Sequence, residues 1–158
     1  MTDPKSSIKI GTKTAIVGKN GAGKTTFIKL LCRLYEPTEG QILLNGVDIR
    51  EYDIIEYRNM FSVLFQDFID YGLTLRENIA VADLRYLNDD KKIWDAIEKS
   101  ELNDVVRDWE AGLETPMTRL FEDDGKELSG GQWQRVALAR VFFSNRDLIV
   151  LDEPSASL

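Results

Sequence analysis

Residues 18–25, Gly18-Lys19-Asn20-Gly21-Ala22-Gly23-Lys24-Thr25, carry the chemistry that is most directly readable in this chain. Glycines at these spacings let the backbone curl until successive N–H groups point inward, which is how a loop cradles the oxygens of a polyphosphate. Lys24 would bring positive charge to the outer phosphates, and the Thr25 hydroxyl is a hard oxygen donor of the kind Mg²⁺ selects. Thr26, next in line, is counted with residues 18–25 as nucleotide-contacting.

A second constellation is Leu148-Ile149-Val150-Leu151-Asp152-Glu153. The apolar run reads as a buried strand that delivers two carboxylates to its C-terminal edge, where open α/β sheets place ligands. Asp152 suits a contact to Mg²⁺ or to its bound water, and Glu153 suits orienting and deprotonating an attacking water. Neighbouring side chains on a strand point to opposite faces, so both reach one site only if the strand ends at Asp152. Pro154 agrees with such an ending. Read alone, the pair is equally compatible with plain strand-end acids. The third element is Leu128-Ser129-Gly130-Gly131-Gln132, opening a helix: a second N-terminus able to meet an anion, with small residues for close approach and a hydroxyl at Ser129. One domain cannot aim two such termini at one phosphate from opposite sides unless a partner supplies the second.

These residues need elements to hold them. Residues 12–17 read as a short strand feeding the glycine-rich loop, and Phe27, Leu30, Leu31 and Leu34 recur at helical spacing until Pro37 and Gly40 turn the chain. Residues 41–44 and 47–50 flank Asn45-Gly46, the dipeptide suited to a type I′ hairpin turn. Residues 60–65 form another strand candidate, ending at Gln66-Asp67. Thr74-Leu75-Arg76-Glu77 has the spacing of a capping box, and helices are expected from there to about Gly112. Ile93 with Ile97, and Leu102, Val105, Val106 and Trp109, are read as core stripes. A helix over residues 129–143 and the strand at 147–151 complete an α/β sheet that carries a helical subdomain.

Composition narrows the classes. The 158 residues are 43% hydrophobic and 30% charged, as in a soluble globular domain. A net charge of −7, with many of the acids between Asp83 and Glu127, opposes nucleic-acid binding. No apolar run approaches the roughly 18 residues a membrane span needs. The single cysteine, Cys32, cannot form an intramolecular disulfide and is read as a buried, reduced thiol in a cytoplasmic setting.

The sequence 128–132, followed by Trp133-Gln134-Arg135-Val136-Ala137-Leu138-Ala139-Arg140, resembles the signature of ATP-binding cassette (ABC) ATPases. The resemblance implies a P-loop NTPase core with a mainly parallel sheet (residues 1–66 and 129–158), a small antiparallel hairpin region and a helical insert (about 67–128), together one incomplete ATPase domain. It implies ATP and Mg²⁺ as cofactors, Thr25, Gln66 and Asp152 as metal contacts, and Glu153, Lys24 and Gln66 as catalytic residues. Ser129, Gly130, Gly131 and Gln132 would read a partner's ATP in a head-to-tail dimer. Residues 155–158 resemble the start of the loop that contacts that partner. Residues 35–46, and Asp123 at a position where exporters usually carry glutamate, look exporter-like. The role this resemblance implies is ATP hydrolysis that powers transport, outward in direction by family flavour, at the cytoplasmic face of a membrane beside a transmembrane domain. A soluble cassette ATPase of translation or DNA repair, or a nucleotide-gated dimerisation module, is the alternative. The chain has no histidine and no aromatic residue before Phe27. The family's γ-phosphate-sensing histidine and adenine-stacking aromatic are therefore expected outside this segment, with poor turnover by the segment alone.

Overall fold

The computed structural model describes residues 7–9, 11–119 and 125–152. Asp123, Glu153 and residues 155–158 lie outside the described residues. The chain divides into two compact units, Met1–Asn59 and Met60–Leu158.

In the first unit, helix α1 (Lys24–Leu31) follows the glycine-rich loop. It stops earlier than Pro37 requires, at Arg33, whose φ of 52° is left-handed. Leu34 N–H donates to Lys29 O at 2.8 Å and Arg33 N–H to Leu30 O at 3.0 Å, the paired bonds of a Schellman ending that satisfy carbonyls the helix would otherwise leave open. The expected hairpin forms with shorter arms, a 3-10 helix (Ile49–Glu51) standing where strand was expected over residues 49–50: β1 (Leu43–Leu44) and β2 (Val47–Asp48) pair antiparallel, Leu43 opposite Asp48 and Leu44 opposite Val47. Asn45 (φ 53°) and Gly46 (φ 85°) supply the positive angles of the turn between them. Helix α2 (Ile54–Arg58) starts at Asp53, whose carboxylate accepts from Ile55 N–H and Glu56 N–H. Its Tyr57 is buried and donates its hydroxyl to Leu31 O at 2.7 Å, tying α2 to α1. Cys32 lies in this small core as a buried thiol, and burial pushes its pKa up to about 11.

One element of this unit departs from expectation. No strand forms over residues 12–17; among the described residues no ladder reaches them, and Ile16 and Val17 are 48% and 92% exposed. The run has β propensity, but a strand is made by hydrogen bonds from a neighbour, which local sequence does not specify.

The second unit is built around a parallel pair and a helical layer. Strand β3 (Phe61–Leu64) is followed by α3 (Leu75–Ala80), α4 (Asp90–Lys99), α5 (Asn103–Val106), the long α6 (Gly130–Ser144) and β4 (Leu148–Leu151). The strands run in parallel with Phe61, Ser62, Val63 and Leu64 opposite Leu148, Ile149, Val150 and Leu151. The expected capping box forms at α3, with the Thr74 hydroxyl accepting from Glu77 N–H and the Glu77 carboxylate accepting from Thr74 N–H. Leu75 and Ile79 of α3, Ile93 and Ile97 of α4, Leu102, and Val136 and Phe143 of α6 are fully buried in one cluster. The stripe over residues 102–109 packs inward as expected, though not as one helix: Leu102 and Val106 are buried, Val105 and Trp109 partly so, and α5 spans only four residues. Periodicity marks which side chains face the core and says little about where the backbone breaks.

Strand β4 corrects a second expectation. It is not buried on both faces: Ile149 and Leu151 are 50% and 39% exposed. Its neighbour β3 is locked to α6 by the Ser62 hydroxyl, which donates to Val141 O at 3.0 Å.

Candidate functional site

In the first unit, residues 18–25 wrap around their own lysine. Lys24 Nζ donates to Gly18 O at 3.1 Å and to Lys19 O at 3.3 Å, and Ala22 N–H donates to Lys19 O at 3.0 Å. The helix begins at Gly23, whose φ of 87° excludes most side chains and which offers no side-chain cap; no acid lies in the first turn. The amide donors of that turn and the positive end of the helix dipole are thereby left for an external anion. Thr25 and Thr26 are exposed at this same end, so their hydroxyls are accessible where the phosphates would lie.

In the second unit, β4 ends at Leu151 and the next residue, Asp152, is 3% exposed. Its N–H donates to Leu64 O at 2.9 Å, which fixes the backbone at the edge where β3 also ends. Gln66 stands two residues beyond Leu64, in an exposed turn at that same edge. The parallel register thus gathers Gln66 and Asp152 at one end of the sheet. Asp152 Oδ2 is buried without a hydrogen-bond partner among the described residues. An orphaned carboxylate oxygen is costly unless something cationic or protic meets it, so this atom fits a Mg²⁺ or a metal-bound water. No cluster of three or more His, Cys, Asp or Glu exists among the described residues. Mg²⁺ keeps several waters and takes phosphate oxygens, so one or two carboxylates suffice and such a cluster is not required.

Residues 129–132 open α6. Ser129 is the N-cap: its hydroxyl accepts from Gln132 N–H at 3.3 Å, while its own N–H donates to Gln132 Oε1 at 2.9 Å. Gln132 therefore supports the start of the helix and does not project freely. The S-x-x-Q spacing carried this signal, since it is a capping box like the one at Thr74. Ser129 and Gly130 are exposed.

Sequence reasoning missed a polar network on α6. Arg140 donates from Nη1 to Ile69 O at 2.7 Å, from Nε to Asn78 O at 2.8 Å and from Nη2 to Asn78 Oδ1 at 2.8 Å. Its guanidinium carbon lies 4.9 Å from the Tyr71 ring centroid. Burial draws this arginine below its ordinary pKa, against the opposing pull of Tyr71 and Asp70. The only local hint is a cation inside the otherwise apolar stretch of residues 136–143.

The model of the family described as ABC transporter matches residues 1–156. The subtilin transport ATP-binding protein SpaT of Bacillus subtilis is 43% identical over 152 residues, 96% of this chain and 25% of that protein. The mitochondrial iron-sulfur clusters transporter ATM1 of Candida glabrata is 38% identical over 96% of this chain and 20% of its own length. A solved bacterial Atm1-family ABC exporter with ATP bound superimposes with a TM-score of 0.78 at 31% identity, covering 89% of this chain and 23% of that one. The chain thus spans about a quarter of the length of the relatives it matches. Among the described residues no helix is long and apolar enough to cross a membrane. A family match over nearly the whole chain, joined to a glycine-rich loop at the head of a helix and a parallel strand pair, places this chain in the ABC transporter family with its P-loop NTPase fold.

Proposed function

We propose that this chain binds MgATP and hydrolyses it as the ATPase domain of an exporter, at the cytoplasmic face of a membrane and coupled to a transmembrane domain. The observation that carries the reading is Asp152, a buried carboxylate with one oxygen unpartnered at the C-terminal edge of a parallel strand pair.

Thr25, Asp152 and Gln66 would hold the Mg²⁺ that arrives with the nucleotide. When bound, the ion neutralises charge on the β- and γ-phosphate oxygens. The amides of residues 18–25 cradle the phosphates together with Thr26, and Lys24 leaves its own loop carbonyls to meet the β- and γ-oxygens. Glu153 orients the attacking water and takes its proton. Ser129, Gly130 and Gly131 of a second domain close on the γ-phosphate from the far side, with Gln132 holding that helix end in shape. Residues 67–128 act as the helical subdomain that relays closure, and residues 1–66 with 129–158 form the core.

The test is ATPase turnover and MgATP affinity of the full-length protein reconstituted in liposomes, wild type against Glu153→Gln. Loss of turnover by about 100-fold or more, with affinity changed only a few fold, is the result expected for removing a general base. Turnover that survives the substitution would exclude Glu153 from that role.

A further inference from the structure

The backbone that follows Gln66 is held by a polar network that the site described above does not use. Residues 69–74 run along the surface, and the Ile69 side chain is 60% exposed, yet the carbonyls of this segment are held from inside. Arg140 takes the Ile69 carbonyl. Asn78, fully buried, donates its Nδ2 to Tyr71 O at 3.0 Å, Leu73 O at 3.2 Å and Thr74 O at 3.0 Å. Arg140 in turn grips both the carbonyl and the side-chain oxygen of Asn78. With Oδ1 taken by a donor-only guanidinium, the Asn78 amide is fixed with its NH₂ toward the three carbonyls.

Two anchors therefore bracket Gln66. On one side the chain is fixed where Asp152 N–H meets Leu64 O. On the other it is fixed at Ile69 by Arg140. Between them Phe68 packs on a small cluster of Leu64, Ala137 and Val141, two of which belong to α6. Gln66 and Asp67 form the turn in the middle. The same helix that begins with the Ser129 cap thus holds the far end of the Gln66 loop, about 15 Å along its axis at 1.5 Å per residue.

We propose that Arg140, acting through Asn78, is a positioning residue that sets where Gln66 stands and makes the Gln66 loop move with the signature helix. The claim rests on the reading of Gln66 as a contact to the metal and γ-phosphate region. Arg140 touches no reacting atom; its fork delivers three bonds in fixed directions that a lysine ammonium cannot reproduce. Movement of Ser129 toward a partner's nucleotide would then be transmitted to Gln66 by a rigid helix and a hydrogen-bonded lever.

The experiment compares full-length wild type, Arg140→Lys, Gln66→Ala and the double variant, by steady-state ATPase, MgATP binding and amide hydrogen exchange. For Arg140→Lys, kcat should fall by about 10-fold with MgATP affinity within two-fold, as expected when a catalytic group is displaced slightly. Exchange at Thr74 and Met117, whose N–H groups bond to Glu77 Oε2 and to Leu73 O at the end of this segment, should rise by about 10-fold or more while the amides of α3 and α4 keep their protection. In the Gln66→Ala background the same substitution should cost less than about two-fold, because the two changes act through one group. Additive losses, or faster exchange spread evenly over the whole unit, would overturn the proposal and leave Arg140 as a stability residue. If Gln66→Ala alone leaves turnover intact, the assignment of Gln66 fails, while local exchange in Arg140→Lys still decides whether Arg140 holds the segment.

Discussion

Lys24 and Asp152 face opposite electrostatic problems. Lys24 satisfies its ammonium on the carbonyls of Gly18 and Lys19, contacts that a nucleotide can replace with stronger phosphate bonds. Asp152 holds a buried oxygen that the described protein leaves unsatisfied. MgATP should therefore stabilise the folded domain, and the two residues should account for much of the gain. At a MgATP concentration 100 times Kd, linkage gives about 2.7 kcal/mol, and a Lys24→Ala variant with Kd raised 100-fold would keep only about 0.4 kcal/mol at that same concentration. Thermal or urea unfolding with and without MgATP checks this; equal stabilisation of both proteins would remove Lys24 from the site. Asp152→Asn should likewise shrink the Mg²⁺-dependent part of the gain and spare the Mg²⁺-independent part. A pH dependence belongs at this scale too. Side-chain hydrogen bonds from Arg50 and Arg85 hold Asp48 and Asp83 down to a pKa of about 2. Because the folded pKa values lie below the unfolded one, the stability they contribute is complete above about pH 4 and is lost as pH falls toward 2. Urea midpoints at pH 5 and pH 2.5 should differ less in Asp48→Asn and Asp83→Asn than in wild type.

At the scale of elements, what the chain could reveal of itself was what its neighbours in sequence decide. Thr74 with Glu77 and Asn45 with Gly46 form devices closed within four residues, and both stand as the sequence dictated. Thr74→Ala should cost about 1 kcal/mol, the ordinary value of an N-cap, measured by chemical denaturation. Ser129→Ala removes the same kind of cap from α6 and should cost a similar amount. Unlike Thr74→Ala, it should also depress turnover, because Ser129 has a second task at the proposed interface. Equal catalytic effects of the two would reduce Ser129 to a cap. The illegible parts depend on distant partners. Residues 12–17 have strand composition, yet a ladder is a property of two segments. The burial expected of Leu148–Leu151 is met only in part, with Leu148 and Val150 half-buried and Ile149 and Leu151 exposed, for the same reason: apolar sequence states a preference, and only a covering layer can satisfy it. Arg140 reaches Ile69 and Asn78 across 71 and 62 residues of chain, so no local pattern could announce the network. The candidate site was legible because its parts are motifs at element ends, where strand edge and helix start are fixed by short-range rules. Gln132 differs because its Ser-x-x-Gln spacing serves two readings at once, an anion-facing helix end and a capping box, and the hydrogen bonds show the cap.

For the whole molecule, the decisive question is whether the site is completed within one chain or between two. The start of α6 is exposed at Ser129 and Gly130 and presents a second anion-compatible helix end. A net charge of −7 keeps like molecules apart in solution, so closure should depend on a ligand that both domains grip. In a head-to-tail pair each composite site takes residues 18–25 from one domain and residues 129–132 from the other. Suppose one population carries Lys24→Ala and a second carries Ser129→Arg, each inactive as a homodimer. In a mixed dimer, one site then collects both defects and the other collects none. Random pairing makes half of the dimers mixed, and one intact site in two leaves about a quarter of wild-type turnover if the sites act independently. Mixing the two full-length variants in detergent before reconstitution, then measuring ATPase, tests this directly. Recovery near that fraction places Ser129 on the partner's nucleotide; if mixing restores nothing while cross-linking shows that mixed dimers form, each site is completed within its own chain or requires both sites at once.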